Sequence, residues 1–199
     1  CPPGGGRRAP YHGRIPSQPF AQFHISPNVK EREYLTEDEI KRIMAHEFDN
    51  PTLTLVRDLF IFACFTALSF VDMKELTTDE IVEVNGEKWI LSKRHKTNVP
   101  FQVKLLDIPL QIIERYKYLS EDRLVFGKIN YWTMCKQLKK VMAECGIEKQ
   151  ISYHCARHTF GTLALSKGMP IESVSRVLGH TNIVTTQIYA KITTQKLDN

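Results

Sequence analysis

The sequence predicts a mostly α-helical (α+β) domain, a multi-helix arrangement with a small three-stranded antiparallel sheet. A long apolar stretch over residues 52–68 indicates a helix that is buried on several sides. After it, short segments of strand character flank an Asn-Gly dipeptide at residues 85 and 86, which is typical of a hairpin turn. Helical patterns return at residue 109 and continue almost to the end of the chain.

The first helix is predicted to begin at a capping box. Thr36 and Glu39 have the T-x-x-E spacing in which each side chain bonds the backbone amide of the other residue. The apolar residues that follow at helical spacing are Ile40, Ile43 and Met44. We expect this helix to run to about Phe48, and the stretch 52–68 to form the central helix of the core.

Three strands are predicted next, at residues 81–82, 88–92 and 99–105. The turn between the second and third strands carries the basic segment KRHK, residues 93–96. Pro109 is then expected to start a helix, because proline suits the first helical turn.

Residues 132–145 predict a basic amphipathic helix with Lys136, Lys139 and Lys140. These lysines either contact DNA or form a solvated face, and the pattern alone does not separate the two. Shorter helices are predicted at residues 153–167, 171–178 and 182–191.

Two regions are expected from the composition along the chain. Residues 1–33 are rich in Pro, Gly and Arg without an apolar period, which predicts a flexible arm, a linker or a remnant of tagging or truncation. Residues 34–199 are expected to form one domain with a short C-terminal tail.

Charge and cysteine content restrict the class of protein. Lys and Arg number 27 against 22 Asp and Glu, so the net charge of +5 allows nucleic-acid binding without requiring it. The five cysteines are widely spaced with no C-x-x-C pair, so neither a disulfide framework nor a zinc ribbon is indicated. This cysteine pattern fits a protein of the reducing cytoplasm. The longest apolar run, residues 59–70, is too short to cross a bilayer, so no membrane partner is expected.

Five polar residues near the C-terminus suggest phosphoryl chemistry. These residues are His154, Arg157, His158, His180 and Tyr189. His154 and Arg157 are three residues apart and share one face of a helix. A guanidinium offers a planar fork to a phosphate, imidazoles donate or carry protons, and a tyrosine hydroxyl can be a covalent nucleophile.

A zinc site is the main alternative for the histidines. His154 and His158 have the i, i+4 spacing of a zinc pair, and a zinc hydrolase would add His180. No Glu accompanies the pair, so we expect His158 to be a buried, hydrogen-bonded structural histidine. No metal and no cofactor are predicted.

These segments resemble the catalytic domain of the tyrosine recombinases, the phage-integrase family of DNA strand-exchange enzymes. The resemblance covers residues 34–194 and is most specific in H-x-x-R-H-T-F (154–160), in L-G-H (178–180) and around Tyr189. Weaker support comes from FTALSFVDMKEL, KTNVPFQVKL and EYLTEDEI.

The resemblance implies a role for each residue of the site. Tyr189 would attack the scissile phosphate and form a 3′-phosphotyrosyl bond, with His154 as its base. Arg157 and His180 would bind the non-bridging oxygens, and Lys96 would protonate the leaving 5′ oxygen. Lys93 is the second candidate for that acid, and Lys93 and Arg94 are expected to contact DNA.

One position departs from the family pattern. Ser69 stands where the first catalytic arginine is expected, and losing such a donor typically costs roughly 100- to 1000-fold in rate. Arg57, Lys74 and Arg94 are candidate substitutes. Integrases of conjugative transposons from Bacteroides-like bacteria are similar in carrying a serine here, which favours a subfamily trait.

The resemblance also implies partners and alternatives. The expected partner is double-stranded DNA at attachment sites, bound as a tetramer by a protein that is monomeric when free, in the bacterial cytoplasm and at the nucleoid when bound. Without an N-terminal core-binding domain, DNA affinity should be low and strongly salt-dependent. A DNA-binding domain with lost or weak catalysis, and relaxation of the topoisomerase IB type, are the alternatives.

Overall fold

A computed structural model describes residues 33–120 and 122–195. The helices are α1 (Glu37–Ala45), α2 (Pro51–Thr66), α3 (Phe70–Lys74), α4 (Asp107–Arg115), α5 (Tyr131–Glu144), α6 (Cys155–Ser166), α7 (Ile171–Leu178) and α8 (Val184–Gln195). The strands are β1 (Ile81–Val84), β2 (Glu87–Lys93) and β3 (Pro100–Lys104). The predicted fold class is therefore confirmed. The predicted arm, apart from residue 33, and residues 196–199 lie outside the described residues.

The ends of the first two helices follow local chemistry. Thr36 and Glu39 form the predicted capping box, with the Glu39 carboxylate accepting from the Thr36 amide at 2.7 Å. Asn50 caps α2 by accepting from the amide of Thr52 at 2.8 Å. The helix ends at Thr66 because Ala67 adopts a left-handed conformation with φ of 57°. Its end therefore lies two residues before the predicted one.

The sheet is an antiparallel meander in the order β1-β2-β3. Ile81 lies opposite Ile90, and Ile90 lies opposite Val103. Asn85 and Gly86 both have positive φ, as the tight turn between β1 and β2 requires. The register turns Ile90, Phe101 and Val103 into the protein interior.

Helix α2 is the centre of the core, with α4, α5 and α6 packed around it. Phe60 and Phe62 on α2 are fully buried. Their rings meet those of Tyr153 and Phe126 edge-on, with centroid separations of 6.4 and 4.9 Å. Because α2 is held on several sides, the turn that follows it at Ala67 has a defined position.

Helix α1 ends at Ala45, before the predicted Phe48, and two further features differ from the prediction. The short helix α3 was not expected as a separate element, and Ser69 caps it. Helix α4 begins at Asp107, so Pro109 occupies the third helical position and not the first. Within the described residues, no helix has the length and apolar character needed to cross a membrane.

Candidate active site

Four of the five polar residues near the C-terminus come together around α8. Helix α6 supplies Arg157 and His158, and α8 supplies Tyr189. His180 lies between α7 and α8, directly after Gly179. The turn after α2 and the turn between β2 and β3 complete the walls. His154 is the N-cap residue of α6 and is exposed.

The side chain of Tyr189 is held between two histidines. It is 5% exposed, and its hydroxyl lies 2.8 Å from Nδ1 of His158. Its ring is parallel to that of His180 within 6°, with centroids 6.5 Å apart. The ring also lies against Gly161, where an added Cβ would be 3.0 Å from Cδ2 of Tyr189. A larger residue here would require the ring to move by a few tenths of an ångström.

His158 has a more direct place in the site than the sequence predicted. It is buried and hydrogen-bonded, as expected, but its partner is the hydroxyl of Tyr189. The ring of His154 meets His158 edge-on at a centroid separation of 4.7 Å. The sequence offered one signal for this contact, since His158 directly follows Arg157 in the motif.

Arg157 lines the site with its guanidinium anchored to backbone. It donates to the carbonyl oxygen of Ala67 at 3.2 Å and to that of Leu178. Burial and the nearby Arg94 lower its pKa to about 10, so the guanidinium is still protonated at neutral pH.

Arg94 brings a second guanidinium to the same carbonyl oxygen. It is buried, donates to Ala67 at 3.3 Å and to Oδ2 of Asp72 at 2.8 Å, and also donates to the carbonyl of Val177. Its guanidinium carbon lies 3.9 Å from the centre of the Phe101 ring. The turn residue that was predicted to contact DNA thus faces inward, towards Arg157.

Ser69 and Asp72 support this arrangement. Ser69 and Asp72 form a capping box on α3, so the serine that replaces the expected arginine has a backbone role. Asp72 also accepts from the amide of His95 at 2.9 Å. Burial would raise the pKa of Asp72, but the His95 amide and Arg94 together hold it below its ordinary value. The carboxylate is therefore the counter-charge of Arg94.

The two other candidate substitutes lie elsewhere. Arg57 donates to the carbonyl of His46 at 2.7 Å and pairs with Asp58 at 2.5 Å, which ties α1 to α2. Lys74 is exposed at the end of α3. Of the three, Arg94 alone shares a hydrogen-bond acceptor with Arg157 in the part of the chain that the structure describes.

His180 is a neutral imidazole at physiological pH. Its Nδ1 lies 2.8 Å from Oγ1 of Thr186. Burial and the charges of Arg157 and Arg94 lower its pKa to about 4.

The two candidate lysines are both exposed. Lys96 lies in the turn between β2 and β3, and Lys93 is the last residue of β2. Lys93, Arg176 and His180 border a cleft of about 520 Å³. No group of three His, Cys, Asp or Glu side chains suited to a metal ion occurs among residues 33–120 and 122–195.

The exposed face of α5 carries the three basic residues Lys136, Lys139 and Lys140. Trp132 is 68% exposed, and the ammonium of Lys136 lies 4.7 Å from the centre of its ring. The geometry fits both a solvated face and a DNA contact.

The model of the phage integrase family matches residues 33–196. This chain belongs to the phage integrase family. A tyrosine recombinase of Pseudothermotoga lettingae is 29% identical over 177 residues, which cover 86% of this chain and 61% of that protein. Tyrosine recombinase XerA of Pyrococcus horikoshii is 30% identical over 82% of this chain and 58% of its own. The chain thus spans about three fifths of the length of these phage integrase family relatives.

Solved structures give the same assignment of fold. A post-cleavage complex of XerH site-specific recombinase with palindromic difH substrate has a TM-score of 0.69 and 21% identity, over 83% of this chain and 51% of that one. The Tn1549 transposon integrase in complex with a circular intermediate DNA has a TM-score of 0.68 and 14% identity, over 86% of this chain and 68% of that one. The domain therefore has the fold of known phage integrase family members.

Proposed function

We propose that residues 34–199 form the catalytic domain of a site-specific recombinase that cuts and rejoins double-stranded DNA through Tyr189. The observation that carries this proposal is the position of Tyr189 between His158 and His180, beside the two guanidiniums that meet at Ala67. Family membership supports the reaction class.

The reaction breaks one bond to phosphorus and forms another. The Tyr189 oxygen attacks the scissile phosphate in line, the bond from phosphorus to the 5′ oxygen breaks, and a 3′-phosphotyrosyl bond remains. A free 5′ hydroxyl reverses the step on the same or another strand, so no external energy source is required. A free tyrosine has a pKa near 10, so it needs a proton acceptor at neutral pH.

We assign the proton acceptor to His158 in preference to His154. His158 Nδ1 is within hydrogen-bonding distance of the Tyr189 hydroxyl, at 2.8 Å. His154, the base suggested by the family resemblance, is exposed at the start of α6 and is the alternative. The proton lost by the tyrosine passes to the imidazole as the bond to phosphorus forms.

Charge that develops on the phosphate is offset by the two arginines. Arg157 binds the non-bridging oxygens, and Arg94 supplies the second positive charge that Ser69 cannot. The Asp72 carboxylate and the Phe101 ring fix the position of Arg94. His180 contributes a neutral N–H donor. Lys96, or Lys93 in its place, gives a proton to the leaving 5′ oxygen.

We further propose that the partner is double-stranded DNA and that the protein acts in a bacterial cytoplasm. In this proposal the protein is a monomer when free and a tetramer on DNA. Solved relatives bound to DNA support the first point. Binding should weaken as salt rises, because each phosphate that a basic side chain neutralises releases counterions. Fluorescence anisotropy of a labelled duplex over a salt series tests this, and affinity that does not change with salt would contradict it.

Ser69 supports a finer proposal, that the chain is an integrase of a conjugative transposon of the Bacteroides type. The likeness to the Tn1549 integrase is a likeness of fold.

The test of the proposed activity is a nicked suicide duplex. Cleavage beside the nick releases a short fragment and traps the protein on the 3′ end. We expect a protein–DNA adduct that survives denaturation. Bound DNA without any adduct would favour the alternative of a domain with lost catalysis, whereas relaxation of supercoiled plasmid without exchange would favour topoisomerase-like activity.

A further inference from the structure

The imidazole of His180 is bound on one side by a residue for which the proposed reaction has no role. Thr186 lies in the first turn of α8 and is completely buried. Its Oγ1 is 2.8 Å from Nδ1 of His180. His180 in turn borders the cleft that opens beside Lys93 and Arg176.

The direction of this hydrogen bond follows from the surroundings of the threonine. Within residues 33–120 and 122–195, Nδ1 of His180 is the one hydrogen-bond partner of the Thr186 hydroxyl. A buried hydroxyl that donates to nothing is unfavourable, so the hydroxyl hydrogen points at Nδ1. Nδ1 must then carry a lone pair and no hydrogen.

The position of the remaining proton on the ring is thereby determined. A neutral imidazole has one N–H, and with Nδ1 occupied as an acceptor that hydrogen is on Nε2. His180 is neutral at pH 7 because burial, Arg157 and Arg94 lower its pKa to about 4. The ring therefore offers a donor at Nε2, where the other tautomer would offer a lone pair.

We propose that Thr186 is a positioning residue that holds His180 as the Nε2–H tautomer, so that a neutral N–H donor is available to the phosphate. The inference rests on the proposed function for the identity of the phosphate, but not for the tautomer itself. A lone pair at Nε2 would repel a phosphate oxygen, so the wrong tautomer would remove one donor from the transition state.

The same helix carries the nucleophile. Thr186 and Tyr189 are three residues apart on α8, and both side chains are buried on one face of it. The tautomer of His180 and the position of the tyrosine therefore depend on the same docked helix. A protomer in which α8 has left the site would lose the nucleophile and the preference of His180 together.

The tautomer can be measured on the free protein. Protein labelled with ¹⁵N histidine is examined by NMR at pH 7, with His180→Gln to assign the resonances. In the wild type we expect Nε2 to carry the hydrogen and Nδ1 to have the shift of an unprotonated nitrogen. Thr186→Val removes the hydroxyl at similar volume and should shift both nitrogens towards a mixture of tautomers. Thr186→Ser should restore the wild-type shifts.

The exposed neighbour Thr185 provides the matched control, since Thr185→Val should leave the His180 resonances unchanged. On suicide duplexes, Thr186→Val should slow cleavage at saturating DNA by roughly 10- to 100-fold, the range found when a group that orients a metal-bound histidine is removed. DNA affinity should not change, and Thr186→Ser should recover the rate.

Two results would overturn the inference: hydrogen on Nδ1 in the wild type, or unchanged His180 shifts in Thr186→Val. If Thr186→Val does not fold, Thr186→Ala is compared with Thr186→Ser in the same way. A threonine-dependent tautomer in a protein that forms no adduct would leave the positioning role intact and refute the proposed function. An active wild type whose His180 tautomer does not depend on Thr186 would refute the positioning role and leave the proposed function intact.

Discussion

Arg94 and Arg157 donate hydrogen bonds to the same carbonyl oxygen, that of Ala67, at 3.3 and 3.2 Å. They are 63 residues apart in the sequence and reach that oxygen from the β2–β3 turn and from α6. Two adjacent guanidiniums are unfavourable without a counter-charge, and Asp72 provides it to Arg94 at 2.8 Å. Residue 69 is a serine where the family pattern has an arginine, and Arg94 places a second positive charge beside Arg157.

The first prediction concerns Arg94. Arg94→Lys keeps the charge but cannot contact Asp72, Ala67 and Val177 together, because an ammonium lacks the planar fork. Cleavage of a suicide duplex should fall by roughly 100- to 1000-fold. Arg123→Lys, at an exposed arginine paired with Asp79, is the control and should cleave normally. Cleavage by Arg94→Lys at the wild-type rate would show that the reaction does not need the planar guanidinium of Arg94.

The second prediction separates the two histidines of α6. His158→Gln should slow adduct formation at pH 7 by roughly 100- to 10,000-fold, as expected when a general base is removed. His154→Gln is the matched comparison. A larger loss in His154→Gln than in His158→Gln would reassign the base to His154.

The third prediction uses the close approach of Gly161 to Tyr189. Gly161→Ala should reduce adduct formation, because the new methyl group displaces the tyrosine ring by a few tenths of an ångström. The loss should be smaller than the roughly 100-fold that a misplacement of about 1 Å costs. The measurement is the rate of single-turnover cleavage, with thermal unfolding as a check on folding.

Helix propensity supplies the control for this substitution. Alanine within a helix is favoured over glycine by about 1 kcal/mol, so Gly161→Ala should stabilise a Tyr189→Ala variant in which the ring is gone. In the protein with Tyr189 the gain should be smaller or reversed. Equal effects in both backgrounds would mean that the ring does not lie against Gly161.

The fourth prediction concerns pH and His180. The folded-state pKa of about 4 is below the ordinary value of 6.5, so between these values the unfolded chain binds more protons than the folded one. This histidine therefore reduces stability as the pH falls from about 6.5 towards 4. His180→Gln removes that effect, and its melting temperature relative to the wild type should be higher at pH 5 than at pH 7.5. A difference that is constant with pH would contradict a depressed pKa.

Most of the fold could be predicted because its determinants are local. Thr36 and Glu39 specify the start of α1, and Asn85 and Gly86 specify the first hairpin turn. The end of α2 could not be predicted from the sequence, since the left-handed conformation of Ala67 depends on the packing around it. Helix α3 is five residues long, too short for a periodic pattern to indicate it.

The site was predicted in part. His180, Arg157 and Tyr189 could be identified from their order and spacing, and they converge as expected. The contact between Tyr189 and His158 depends on how α8 docks on α6, which a one-dimensional pattern does not contain. The choice of Arg94 among three basic residues likewise required the position of the β2–β3 turn relative to Ala67.

The most direct test of the central claim is the identity of the residue joined to DNA. Wild-type protein and Tyr189→Phe are incubated with a nicked suicide duplex, and the denatured adduct is digested and examined by mass spectrometry. We predict a nucleotide on Tyr189 in the wild type, and no adduct in Tyr189→Phe despite unchanged DNA binding. An adduct that persists in Tyr189→Phe, or one mapped to another residue, would contradict the phosphotyrosyl mechanism proposed for this domain.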